Sequence, residues 1–133
     1  MTYKPEMQDI TALLSSMADP IRLRVLALIA GAAELCVCEL VAALDLPQPK
    51  VSRHLAVLRE VGVLADRREA QWVLYSLSNT LDGRSRAIIE AAVAAVCDAP
   101  QTREDRERLA GTSRPVRLRT GCRPAGSELN EAS

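Results

Sequence analysis

Aromatic residues are scarce in this chain of 133 residues, which has no phenylalanine, two tyrosines and one tryptophan. Leu, Val, Ile and Ala must therefore fill most of the core, which favours a mainly α-helical single domain. Histidine occurs only once, at position 54. We find no Ser/His/Asp catalytic set and no glycine-rich phosphate cradle, so the sequence does not predict an enzyme.

Long apolar runs are also missing. No stretch is long enough to span a bilayer, and the N-terminus lacks a signal-peptide pattern. We therefore expect a cytoplasmic protein with no membrane partner. Four cysteines are present, and in a reducing compartment they are expected to bind metal or act in redox chemistry rather than form structural disulfides.

Net charge is absent as well, because 17 basic residues balance 17 acidic ones. The charges are, however, unevenly distributed along the chain. Residues 1–46 carry three basic and six acidic residues, whereas residues 47–76 carry five and three. The positive charge is concentrated in one middle segment, as expected if that segment contacts nucleic acid.

This middle segment has the pattern of a recognition helix followed by a β-wing. Apolar residues recur about once per helical turn at Val51, Leu55, Leu58 and Val61. Gly62 follows, where a helix often ends with positive φ. Two short runs at residues 63–67 and 71–77 predict a hairpin. A polar-faced helix before a charged hairpin is typical of the winged helix-turn-helix, in which the second helix enters the major groove.

The flanking segments predict further helices. An apolar stripe marks a first helix at residues 7–17, and Asp19-Pro20 predicts a capped second helix reaching about residue 30. A short third helix is expected at residues 37–44. A last helix, capped by Asn79 or Thr80, should reach about Cys97 and present a long apolar stripe. The fold class predicted is mainly α with a small β-hairpin.

Composition changes from residue 99 onward, where glycine and proline recur and large apolar residues become rare. The predicted division is a DNA-binding and dimerisation domain at 1–98 and a flexible arginine-containing tail at 99–133. One polar helical turn is expected around residues 103–109. Four arginines without an acid lie between residues 113 and 124, a weak sign of a second phosphate contact.

Four strings resemble the ArsR family of metalloid- and metal-responsive repressors, in the family's order. They are ADPIRLRVL at 18–26, ELCVCEL at 34–40, QPKVSRHLAVLRE at 48–60 and WVLYSLS at 72–78. The resemblance covers about residues 8–98. It implies a winged helix-turn-helix homodimer, joined through the first and last helices. Such a dimer binds a palindromic double-stranded operator and leaves it when a soft metal or metalloid binds.

Cys36 and Cys38 are the candidate inducer ligands, because thiolates suit trivalent arsenic and antimony. Residues i and i+2 do not face each other on a helix, so we expect the start of the third helix to unwind when both bind As(III) or Sb(III). The family's arsenite site has a C-x-C-x-x-C string, and here Val41 occupies the third place. The third sulfur is then expected from Cys97 or Cys122, with Cys122 slightly favoured. A two-thiol site for an organoarsenical stays open.

The predicted DNA-contacting residues are Gln48, Lys50, Ser52, Arg53 and His54 on the recognition helix, with Arg67 and Arg68 on the wing. No cofactor is expected to be required for DNA binding, since the metalloid acts as inducer. The alternatives are a thiol redox-sensing repressor and a Zn/Cd-type sensor of the same fold.

Overall fold

A computed structural model describes residues 6–112. Its helices are α1 (Met7–Met17), α2 (Pro20–Ala32), α3 (Val37–Leu44), α4 (Gln48–Glu60), α5 (Gly83–Val96) and α6 (Pro100–Ala110), and its strands are β1 (Glu34–Cys36), β2 (Leu64–Glu69) and β3 (Trp72–Leu77). None of the helices in this range is long and apolar enough to cross a membrane.

Local sequence signals set the start of α2 and the end of α4 as predicted. The Asp19 carboxylate accepts hydrogen bonds from the backbone N–H groups of Ile21 and Arg22, and Pro20 occupies the first helical position. Gly62 has φ +83° just beyond α4. Its N–H donates to Arg59, and the next N–H, of Val63, donates to Leu58. This pairing is a Schellman motif, which turns the chain from helix to wing.

Helices α3 and α4 pack on one core with α2 and α5. The fully buried side chains include Leu26, Ile29, Leu40, Leu44, Leu55, Leu58 and Ile89. Aliphatic side chains therefore fill the interior, as the shortage of aromatics predicted. Leu46 and Pro47 lie in the short connection from α3 to α4. With the hairpin that follows α4, this arrangement confirms the winged helix-turn-helix.

The sheet has three antiparallel strands in the order β1-β3-β2, although the sequence predicted only two. β1 pairs with β3 through Glu34 and Ser76, Leu35 and Tyr75, and Cys36 and Leu74. A strand of three residues carries too little local pattern to be recognised, because it is held by a partner about 40 residues away. The strand connects the end of α2 directly to the cysteines.

Two predictions about the C-terminal helices are corrected. The cap of α5 is Asp82, whose carboxylate accepts from the N–H groups of Arg84 and Ser85, and not Asn79 or Thr80. After α5 the chain forms the 11-residue helix α6, where only one turn was expected. α6 packs on α2 and α3 and buries Thr102 and Asp105. The structured part thus extends beyond residue 98, and the rest of the predicted tail, from residue 113, lies outside the described residues.

Candidate DNA-reading face and thiol site

Helix α4 buries one side and exposes the other. Val51, Leu55 and Leu58 are fully buried against the core. The predicted reading residues Gln48, Lys50, Ser52 and Arg53 are exposed near the helix N-terminus. Side chains at the beginning of a recognition helix reach base edges and phosphates in this motif. These residues are thus brought together on one open, basic face.

His54 occupies a different position from the other reading residues. Its ring is half-buried at the edge of α4, and Nδ1 lies 3.1 Å from a guanidinium nitrogen of Arg22 on α2. Partial burial lowers the pKa of His54, and the nearby cations Arg22, Lys50 and Arg53 lower it further, while Asp19 opposes them. The sequence grouped His54 with the exposed residues and did not show this contact between helices.

The two wing arginines, Arg67 and Arg68, differ in their surroundings. Arg67 donates to both carboxylate oxygens of Glu34, at 2.6 and 2.9 Å, and to Glu69 at 2.7 Å. These carboxylates raise the pKa of Arg67 above its ordinary value. Arg67 is therefore paired with these two carboxylates while 47% of its side chain stays exposed. Arg68 is exposed on the opposite face of β2.

The two cysteines are brought together by the junction between β1 and α3. Cys36 is the N-cap of α3, with extended angles φ −84° and ψ 160°, and Cys38 lies in the first turn. Their sulfur atoms are joined in a disulfide with a Cα–Cα distance of 5.4 Å. The two sulfurs can therefore meet without the unwinding of α3 that the sequence led us to expect, because Cys36 lies outside the helical turns.

The cysteines have unequal exposure. Cys36 is buried, with an exposed fraction of 1%, whereas Cys38 is exposed. Glu39, also buried, accepts the backbone N–H of Cys36 at 2.9 Å and completes a capping box at the helix start. One sulfur therefore belongs to the interior and the other faces solvent.

A groove joins the cysteines to both DNA-reading elements. It has a volume of about 250 Å³ and is lined by Cys36, Val37, Cys38, Gln48, Gln71, Trp72 and Val73. Gln48 is the first residue of α4, and Gln71 lies at the tip of the wing. Trp72 and Leu74 pack against Cys36. Gln71 and Trp72 were not predicted as site residues; both lie in the predicted strand run at 71–77, and Trp72 also begins the string that resembles the family.

The remaining predicted sulfur ligands are not assembled with this pair. Cys97 is half-buried at the C-cap of α5, and Cys122 lies outside the described residues. Within residues 6–112, no three His, Cys, Asp or Glu side chains are grouped so that they could hold a metal ion. Cys97 of the same chain therefore does not complete a three-sulfur site.

Comparison with known proteins gives a consistent picture. Residues 19–66 match the model of the arsR family of bacterial regulatory proteins. The chain is 62% identical over 61 residues to the arsenic resistance transcriptional regulator ArsR1 of Pseudomonas putida, covering 46% of this chain and 48% of that protein. It is 48% identical over 80 residues to the arsenical resistance operon repressor of Escherichia coli, covering 60% and 68%.

A similar backbone is found in a solved structure, HlyU from Vibrio cholerae, with a TM-score of 0.62 and 36% identity over 72% of this chain and all of that one. The sequence matches to the two relatives named above span about half of the Pseudomonas regulator and about two thirds of the Escherichia coli repressor. The Pseudomonas relative is described as a transcriptional regulator and the Escherichia coli relative as an operon repressor. The recognition helix, the wing and these similarities together show that the chain belongs to the ArsR family of regulatory proteins.

Proposed function

We propose that this protein is a metalloid-responsive repressor. As a homodimer it binds a palindromic operator through α4 and the wing, and it releases the DNA when As(III) or Sb(III) bonds to the thiolates of Cys36 and Cys38. The observation that carries this proposal is the groove in which both cysteines lie beside Gln48 of α4 and Gln71 of the wing. Three relatives described as arsenic or arsenical resistance regulators support the choice of inducer.

DNA binding is assigned to the exposed side chains of α4 and to one wing arginine. Gln48, Lys50, Ser52 and Arg53 contact bases and phosphates, and His54 joins them from the edge of the helix. Arg68 supplies the phosphate contact of the wing. Arg67 stiffens the wing through Glu34 and Glu69 and contributes to DNA binding only indirectly.

The inducer reacts with the reduced form of the cysteine pair. A thiol reductant first transfers two electrons and two protons to the disulfide. Arsenous acid then condenses with the thiols, so that each As–S bond formed breaks one As–O bond and releases one water. Soft thiolates favour such thiophilic centres. The adjacent sulfurs need only a local rearrangement to share one arsenic atom.

Binding is transmitted through the sheet to the wing. Cys36 pairs with Leu74 of β3, which in turn pairs with Arg67 of β2, so the three residues form one row. Side chains in a row point to the same face. An arsenic atom on Cys36 therefore presses on the packed cluster of Leu74 and Trp72 beneath the wing. This path replaces unwinding of α3 as the coupling mechanism.

Dimerisation is assigned to α1 and α5, the helix predicted from sequence as the last. Met7 and Leu14 on α1 have exposed fractions of 81% and 49%. On α5, Ala91 and Ala95 are exposed beside the half-buried Ile88 and Ala92. Both helices thus present apolar side chains to solvent in the single chain. A second copy would cover them.

The experiment is an operator-release titration with arsenite under reducing conditions. Cys36→Ser and Cys38→Ser should bind the operator like the wild type but should not release it. Serine is a good N-cap, so Cys36→Ser preserves the start of α3. The lost coupling corresponds to about 1–3 kcal/mol. Release of both variants by arsenite would contradict the proposed site.

The DNA face has its own control in the same assay. Ser52→Ala and Arg53→Ala should fold normally, since both residues are exposed, and should lose about 1–3 kcal/mol of operator affinity each. Wild-type affinity in both variants would remove α4 from the reading role.

The third arsenic ligand is assigned to a cysteine beyond α5, with Cys122 preferred and Cys97 of the partner as the second candidate. Single Cys97→Ser and Cys122→Ser variants should be compared by arsenic–sulfur absorption and stoichiometry. Loss of one absorption component in one variant identifies the ligand. No change in either variant would show that Cys36 and Cys38 alone supply protein sulfur.

A second candidate function, thiol redox sensing, is favoured by the disulfide between Cys36 and Cys38. It predicts that peroxide without arsenite releases the operator and that thiol reductant restores binding. If the protein keeps the operator in peroxide but releases it with arsenite, redox sensing is excluded and metalloid sensing is supported. Zinc and cadmium in parallel titrations test the Zn/Cd-type alternative.

A further inference from the structure

The contact between Arg22 and His54 joins the recognition helix to α2. The guanidinium nitrogen Nη1 of Arg22 lies 3.1 Å from Nδ1 of His54, in a half-buried position. Arg22 is itself anchored, because its Nε donates to the backbone oxygen of Ser16 and its own N–H is capped by Asp19. The arginine therefore meets the imidazole from a fixed direction.

Hydrogen-bond chemistry determines the state of the ring. A guanidinium has five N–H donors and no acceptor. Nδ1 of His54 must then be the acceptor, so the ring is neutral and its proton is on Nε2. Since Nδ1 faces Arg22, the Nε2–H group points away from α2. A protonated ring would place an N–H opposite the guanidinium and lose the contact.

Most of the surrounding charges also favour the neutral form of the His54 ring. Arg22 on α2 and Lys50 and Arg53 on α4 disfavour a positive ring, and Asp19 at the start of α2 opposes them. Burial also disfavours the charged form. The pKa of His54 is lowered accordingly.

We propose that Arg22 is a positioning residue that fixes His54 as an Nε2–H donor, and that His54 uses this donor to select an acceptor on a base edge. The acceptors available in the major groove are N7 and O6 of guanine, N7 of adenine and O4 of thymine. The opposite tautomer would present an acceptor and favour cytosine or adenine amino groups. This inference rests on the proposed role of α4 in reading DNA.

The tautomer can be measured without DNA. His54 is the only histidine, so the imidazole ¹⁵N signals of the full chain need no assignment. The wild type should show a protonated Nε2 and an unprotonated Nδ1. Arg22→Met should release the ring into a mixture of tautomers, Arg22→Lys should keep the donor and the wild-type state, and Lys50→Met is a matched control that removes a nearby charge without touching Nδ1. A protonated Nδ1 in the wild type, or an Arg22→Met spectrum like the wild type, would overturn the proposal.

The base preference is measured with duplexes that the wild-type protein recovers from a random-sequence library. In a scan of every base pair, His54→Ala should lose discrimination at one guanine, adenine or thymine by about tenfold or more, and Arg22→Met should lose it at the same position. The double variant should lose no more than either single one. His54→Gln, whose amide also donates, should retain part of the preference.

Three results separate the inference from the proposed function. Failure to recover any specific duplex would contradict the proposed function, while the ¹⁵N result would still decide the tautomer. Loss of affinity spread equally over all duplexes would show a phosphate contact and overturn base selection. Different positions for the two variants would overturn the role of Arg22.

Discussion

Cys36 shows how one residue conformation determines the geometry of a site. Because its backbone is extended at the start of α3, its sulfur lies beside that of Cys38 although the two residues are only two positions apart. Within a regular helix the same spacing would separate them. The conformation follows from the pairing of β1 with β3, and thus from contacts with the wing.

Ala70 is a second position where one backbone angle matters. It lies at the tip of the wing with φ +55°, a left-handed conformation that glycine adopts without steric cost. Alanine in the left-handed conformation costs roughly 1–2 kcal/mol. Glycine avoids this cost, but part of the gain is lost because glycine loses more conformational entropy on folding. Ala70→Gly should therefore raise the free energy of unfolding by up to about 1 kcal/mol.

Urea denaturation provides the measurement for Ala70→Gly. The control is Ala65→Gly on the same strand, β2, where φ is not positive and glycine should destabilise by roughly 0.5–1 kcal/mol. Equal losses in both variants would show that the tip alanine is not strained.

At the scale of elements, α6 fastens the end of α3. The Asp105 carboxylate, 1% exposed, accepts from Arg24 twice at 2.9 Å and from Arg108 at 2.8 Å. Both arginines also donate to backbone oxygens at the end of α3, Arg24 to Leu44 and Arg108 to Ala43. These carbonyls lack partners within the helix. The network thus holds the turn that leads into the recognition helix.

Asp105→Asn should destabilise the domain by about 3 kcal/mol, because it removes the buried carboxylate charge and leaves the partly buried guanidinium of Arg24 without its counter-charge. Thermal unfolding followed by circular dichroism provides the measurement. Glu104→Gln, at an exposed position of the same helix, should change stability by no more than about half a kcal/mol. Similar melting temperatures for Asp105→Asn and the wild type would show that α6 is not needed to hold α3.

For the whole molecule, the proposed dimer depends on the apolar surfaces of α1 and α5. Leu14→Glu and Ala95→Glu place a charge on these surfaces and should convert the dimer into monomers, since an unpaired charge is costly to bury. Analytical ultracentrifugation at micromolar concentration measures this change. Ala56→Glu, at an exposed position of α4, introduces the same charge and should remain dimeric. Dimers in all three variants would place the interface elsewhere.

The sequence alone determined the parts of this protein that depend on neighbouring residues. Asp19-Pro20 begins α2, Gly62 ends α4, and the period of Val51, Leu55 and Leu58 defines the buried face of the recognition helix. Each signal acts within a few residues through capping, backbone freedom or periodicity. The winged helix-turn-helix and the exposed face of α4 follow from them.

Only the tertiary structure decided the features that depend on distant residues. β1 exists because β3 pairs with it, Arg67 is held by Glu34 from another strand, and His54 is oriented by Arg22 from another helix. α6 has a polar sequence that predicts a solvated turn. Asp105 is nevertheless buried, because its carboxylate pairs with Arg24, which is 81 residues away in sequence but adjacent in space. Pairing energies of this kind arise from three-dimensional proximity, which no local pattern encodes.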